Sequence, residues 1–134
     1  MYRAPVEEIG FTLKHVAGLG AALAQGALGD LDQDLVDAIL SEAGRFASYE
    51  VAPLGPIGDT QGAKLIDGEV RTPDGWRDLY HRWIAGGWNG LTAAEEFGGQ
   101  ALPHMLNVGR RHADDGGQEE LVCTGHRWRR LVSR

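Results

Sequence analysis

Three groupings of side chains in this sequence are of a type that does chemistry. Glu95 and Glu96 are adjacent carboxylates, the groups that general acid/base catalysis uses. Cys123 and His126 stand in a Cys-x-x-His spacing, which suits either a thiolate nucleophile beside an imidazole base or two ligands of a zinc ion. His104 and His112 would add ligands to the second arrangement. Each grouping meets a physical objection. Adjacent side chains diverge, so Glu95 and Glu96 read as a solvated loop. Tetrahedral zinc needs four ligands, usually supplied as two such pairs, and one pair is present. A lone cysteine needs surrounding structure to hold a base against it, and the residues around Cys123 are poor in apolar groups. No catalytic residue and no metal site is therefore assigned.

The stretch Gly86–His104 is the most distinctive in the chain, and its glycines could in principle cradle a phosphate. That function needs a G-x-G-x-x-G spacing between a strand and a helix, which is absent. Gly86 and Gly87 instead follow an apolar helical pattern and suit the positive φ of a helix end. Gly98 and Gly99 allow a second tight turn, and Pro103 suits the first turn of the next helix. Trp88 and Leu91 are large apolar groups within this connection, so it is expected to pack inward.

The surrounding pattern is helical. A first helix is expected from about Pro5, with Glu7 and Glu8 in its first turn, Val6, Ile9, Leu13, Val16 and Leu23 on one face, and a break near Gly18. A second spans Asp32 to Ala52, capped by Asp30 or Asp32, with the stripe Leu35, Ile39, Leu40, Ala43, Phe46 and Ala47. Pro53 to Asp59 reads as a loop. Lys64 to Arg71 reads as a hairpin, because Asp67-Gly68 suits a type I′ turn. A third helix runs from about Pro73 to Ala85, burying Trp76, Leu79, Tyr80, Trp83 and Ile84. A fourth opens near Leu102-Pro103, carries Met105, Leu106 and Val108, and loses its pattern at Gly109.

A chain of 134 residues suffices for one domain. Its formal charge of −6 disfavours nucleic acid and anionic membrane surfaces as partners. The charge is uneven: residues 1–108 are net −8, and residues 109–134, with six arginines against four acids, are net +2. Glu7, Glu8 and Lys14 interrupt any signal-peptide core. The uncharged run Val16–Gly29 falls short of the ~20 residues needed to span a bilayer. A cytoplasmic protein is expected, and a single cysteine fits a reducing compartment.

Several motifs occur together and in order: Tyr2-Arg3-Ala4-Pro5 with Phe11, Glu50-Val51-Ala52-Pro53-Leu54 with Gly58-Asp59 and Gly62, Thr72-Pro73-Asp74-Gly75-Trp76, and Gly86–His104. The set resembles the N-terminal part of acyl-CoA dehydrogenases of the long bacterial form, a group that includes methylthiopropanoyl-CoA dehydrogenases. The resemblance covers about Tyr2 to Val108. It implies a mainly α fold, a helical N-terminal domain with one small β-hairpin. It divides the chain into an N-terminal helical extension (1–30), a partial N-terminal helical domain (31–108) and a non-family tail (109–134), expected to be disordered.

Members of this family remove hydrogen from the α and β carbons of an acyl-CoA thioester. A carboxylate takes the α proton, the β carbon gives a hydride to FAD, and hydrogen bonds to the thioester oxygen stabilise the developing charge. The resemblance thus implies FAD, an acyl-CoA substrate and an electron-transfer flavoprotein for an intact enzyme of fatty acid metabolism. The residues that bind flavin and the catalytic Glu belong mainly to later domains and have no match here. Leu102, Met105 and Leu106 are the residues expected nearest the acyl channel. The expected function is an N-terminal fragment, truncated or frameshifted after about residue 108, inactive alone and self-associating through apolar faces. The alternative is a small helical protein-interaction module without enzymatic activity.

Overall fold

The structure is a computed structural model that describes residues 2–115, apart from the side chain of Asp115. Helices dominate it: α1 (Val6–Phe11), α2 (Leu19–Ala24), α3 (Gln33–Phe46), α4 (Gly55–Gln61), α5 (Trp76–Ala85) and α6 (His104–Asp115). One antiparallel hairpin, β1 (Lys64–Ile66) and β2 (Glu69–Arg71), joins α4 to α5. This is the mainly α class with one hairpin that the sequence predicts. No helix among the described residues is long and apolar enough to cross a membrane.

The central element is α3. Asp32 caps it: its carboxylate accepts a hydrogen bond from the Leu35 N–H at 2.8 Å, satisfying one of the donors a helix start leaves open. Val36, Leu40, Ala43 and Phe46 then recur at helical spacing and are buried. Leu35, expected in this stripe, is 45% exposed, and its neighbour Val36 is 1% exposed in its place. The helix does not end at Phe46 but widens into a π turn (Ala47–Val51) and a 3-10 turn (Ala52–Leu54), so the chain stays helical through the expected end at Ala52.

A second wide turn explains why α1 departs from the expected stripe. Residues Thr12–Val16 form a π turn, which changes the angular step between side chains. Ile9 and Leu13 stay buried, whereas Val16 swings out to 74% exposure. Gly18 (φ 80°) then breaks the helix where the sequence predicts, and α2 starts again with Leu19 fully buried.

One core joins these pieces. Ile9, Leu13 and Leu19 from the first thirty residues pack with Val36 and Leu40 of α3 and with Leu106 and Ala113 of α6. Burying each of the larger side chains contributes about 1.5–3 kcal/mol relative to exposure. The N-terminal segment is tied in twice more. The Ala4 N–H donates to the Ser48 hydroxyl (3.1 Å), which donates onward to the Gly44 carbonyl (2.7 Å). The Tyr2 hydroxyl donates to the Ala113 carbonyl at 2.7 Å. Gly44 allows the approach, since a Cβ there would overlap Val6.

Pro53 to Asp59 is not a loop. After the 3-10 turn, Gly55–Gln61 forms α4, with Pro56 in its first turn and Gly58 beneath the Trp76 indole. A Cβ on Gly58 would sit 2.5 Å from Trp76 Cζ2, so the glycine marks helix-to-ring packing rather than a turn. In turn α5 begins at Trp76 rather than Pro73, because Gly75 sits at φ 81° and Pro73–Gly75 forms the entering turn. Gln61 and Asp74 clamp this entry: the Gln61 side-chain amide donates to the Asp74 carboxylate (2.9 Å) and accepts from the Asp74 N–H (2.8 Å).

Between α4 and α5 the hairpin takes the predicted form. Asp67 (φ 52°) and Gly68 (φ 82°) both occupy the left-handed region, as a type I′ turn requires. All six strand residues are exposed.

Candidate functional site

The connection from α5 to α6 carries the most distinctive residues, and its backbone is tightly specified. Gly87 (φ 73°) closes α5, and a 3-10 turn (Trp88–Gly90) follows. Trp88 and Leu91 point inward, at 8% and 3% exposure, and cluster with Ala43 of α3. The inward packing expected of this connection is what the structure shows. The rest of the loop is pinned by backbone hydrogen bonds from Gln100 to Gly90, Ala101 to Ala93 and Leu102 to Leu91 (2.8–2.9 Å). Gly99 lies against the Ala93 backbone, where a Cβ would overlap it. Ala101 holds φ 49° without being glycine, a conformation that costs free energy and persists because these bonds over-determine it. Phe97, at the tip of a 3-10 turn, is 81% exposed.

This loop delivers Leu102, Met105 and Leu106. Leu106 is fully buried in the core shared with α1 and α3. Leu102 is half-buried and packs on both that core and the Trp88–Leu91 cluster; Met105 is half-buried against the first. The three share a region, with Leu106 turned into the domain and the other two at its margin.

Beyond Val108 the helix continues to Asp115. The inward positions are Leu106, Gly109, Arg110 and Ala113, spaced i, i+3, i+4 and i+7. A Cβ on Gly109 would meet Leu13, Ile9 and Leu40 at 2.9–3.3 Å, so the glycine lets α6 approach α1 and α3 closely. Arg110 is 8% exposed and well satisfied: its guanidinium pairs with the Asp114 carboxylate one turn on, hydrogen-bonds Asn107 Oδ1 (3.0 and 3.2 Å), and lies 5.6 Å from the centre of the Trp83 ring. Trp83 also stacks on Tyr80 at 6.2 Å. The expected loss of pattern at Gly109 does not occur within the described part of the tail. The spacing was present in the sequence, but glycine, arginine and alanine gave it no apolar signal. Residues 116–134, with the Cys123–His126 pair, lie outside the described residues.

Glu95 and Glu96 are exposed on the 3-10 turn beside Phe97, as a solvated pair would be. His104 and His112 are exposed, and no group of three or more His, Cys, Asp or Glu side chains gathers among the described residues. A groove of about 360 Å³ opens between α1 and α3, lined by Glu7, Phe11, Lys14, Gln33 and Asp37. Its two carboxylates, Glu7 and Asp37, outnumber Lys14, so the groove is not lined as a receptor for an anionic group.

Compared with known proteins, the chain is 36% identical over 107 residues to the 3-methylmercaptopropionyl-CoA dehydrogenase of Ruegeria pomeroyi. It is similar to a piece of that enzyme. The match takes in 80% of this chain and 18% of the relative's length. No protein-family model matches the chain. The likeness supports reading the chain as an acyl-CoA dehydrogenase fragment, in accord with the motifs and the mainly α fold.

Proposed function

We propose that this chain is an N-terminal helical piece of a flavin-dependent acyl-CoA dehydrogenase and acts only as part of a longer enzyme. The observation that carries the reading is the 36% identity over 107 residues, which spans 18% of the relative. In this reading the α,β-dehydrogenation of an acyl-CoA thioester, the FAD that accepts the hydride, and the general base belong to the remainder of that enzyme. An electron-transfer flavoprotein would reoxidise the flavin there. This domain contributes packing: the Trp88–Leu91 connection and α6 form a rigid wall, and Leu102 and Met105, at its margin beside the buried Leu106, are where it would approach an acyl chain.

The test is a chimera in which residues 2–108 replace the matching segment of the Ruegeria pomeroyi enzyme, assayed for bound flavin and for dehydrogenation of 3-methylmercaptopropionyl-CoA. The expected result is a yellow, active chimera, with the isolated 134-residue chain colourless and inactive. A chimera that folds but holds no flavin would overturn the reading. An alternative is a small helical interaction module without enzymatic activity, which the exposed apolar groups of the hairpin favour.

A further inference from the structure

We propose that the free edge of β2 pairs with β2 of a second copy of this chain, joining two hairpins into a four-stranded antiparallel sheet. Every residue of both strands is exposed, and among the described residues no further strand pairs with either outer edge. Two strands alone are marginal in water, and open edges are templates for further pairing. Leu65 is 73% exposed and Val70 43%, and the register sets them opposite each other on one face.

Backbone geometry selects the point of contact. In a hairpin with a two-residue turn, the residues flanking the turn, Ile66 and Glu69, exchange their hydrogen bonds with each other. The next pair, Leu65 and Val70, therefore turns its N–H and C=O groups outward. A two-fold axis at Val70 lets the two Val70 residues exchange both of these hydrogen bonds, an isologous contact. It also lines up Leu65, Val70, and Val70 and Leu65 of the second copy in one apolar row across the sheet.

Charge then selects β2 over β1. Antiparallel pairing about Val70 sets Glu69 opposite Arg71 of the second copy, and Arg71 opposite its Glu69, giving two opposite-charge pairs. Pairing β1 with β1 about Leu65 sets Lys64 opposite Ile66 and gains no charge pair. Within one hairpin, moreover, Lys64 stands opposite Arg71, a like-charge neighbour, and Glu69 of the second copy would relieve that repulsion. Three-residue strands bury little surface, so the contact is a weak and reversible one.

The experiment is sedimentation equilibrium of the full chain over a concentration series, with folding checked by circular dichroism. Wild type is expected to associate reversibly. Glu69→Arg and Arg71→Glu each set like charges opposite one another across the axis, and each should weaken association on the order of tenfold. Mixed one to one, the two variants regain both opposite-charge pairs and should associate as wild type does. Wild type that stays monomeric throughout would overturn the proposal, as it would if the hairpin served a strand of some other protein. So would single variants that associate like wild type, the result expected if another apolar face drives association, or a mixture that does not recover.

Discussion

Helix α6 and the β1–β2 hairpin are both short segments with an apolar side, yet they sit at opposite extremes of burial. In α6 the inward positions Leu106 and Ala113 are 0% and 1% exposed, with Gly109 letting the helix close on α1 and α3. In the hairpin, Leu65 and Val70 remain 73% and 43% exposed, although the turn chemistry is the more regular of the two. Local propensity therefore decides which shape each segment takes, and tertiary contact decides how firmly it is held. Apart from Leu106, the inward residues of α6 are small or polar (Gly109, Arg110 and Ala113), whereas the hairpin displays its apolar groups to solvent.

The sharpest way to break this contrast is to end the chain within α6. Stopping after Val108, where the sequence resemblance is expected to end, removes Gly109, Arg110 and Ala113, and deprives the Tyr2 hydroxyl of its Ala113 carbonyl. A chain of residues 1–108 is expected to lose cooperative thermal unfolding, a loss comparable with the whole stability of a small domain, about 5–15 kcal/mol. A chain of residues 1–115 should keep it. If both melt alike by circular dichroism, residues 109–115 are dispensable for the fold. A smaller step is Leu106→Ala, expected to cost about 2–5 kcal/mol in urea unfolding because the side chain is fully buried in the core. The matching Leu65→Ala change in the hairpin should stay within about 0.5 kcal/mol.

The same contrast explains what was legible in the sequence. An aspartate cap on α3, the break at Gly18, the Asp67-Gly68 turn and the inward Trp88 and Leu91 all follow from residue type and spacing, because each is set within a few residues, although the sequence left the cap open between Asp30 and Asp32. Val16 and Leu35 could not be placed that way. A π turn rotates Val16 off the stripe, and the start of α3 turns Val36 inward instead of Leu35. Helix α4 was hidden by Gly55 and Gly58, read as turn residues when Gly58 is in fact seated under Trp76. That Leu102, Met105 and Leu106 lie together at the start of α6 was legible from their spacing. That Leu106 turns into the core while Leu102 bridges two clusters was not, since one helical pattern serves both arrangements. Arg110 was missed because its burial depends on Asp114, Asn107 and Trp83 together.

A finer test concerns how the N-terminal segment is held against this core. The Ser48 hydroxyl is buried, accepting from the Ala4 N–H and donating to the Gly44 carbonyl. Ser48→Ala leaves the Ala4 donor without that partner beside a tightly packed Gly44, and is expected to cost about 1–3 kcal/mol. Faster hydrogen exchange at Ala4 and through α1, with α5 unchanged, would show that the hydroxyl anchors this segment in particular. Uniform acceleration would mean that it supports the whole domain instead.

The smallest effect belongs on the exposed face of α3. Arg45 donates to Glu42 at 2.9 Å, and this hydrogen bond, reinforced by the arginine's charge, holds the Glu42 carboxyl below its usual value of 4.5. Because the folded-state pKa is the lower one, the unfolded chain takes up the proton first. The pair's contribution is therefore complete above about pH 4.5 and is lost as the pH falls through the folded value. Both side chains are more than half exposed, at 51% for Glu42 and 61% for Arg45, so solvent and salt screen the attraction. Glu42→Gln should leave stability at pH 7 nearly unchanged, flatten the acid limb of the stability curve only slightly, and lose even that difference in high salt. A large, salt-resistant effect would mean that this face of α3 is covered, and would place Glu42 with α6 rather than with the hairpin.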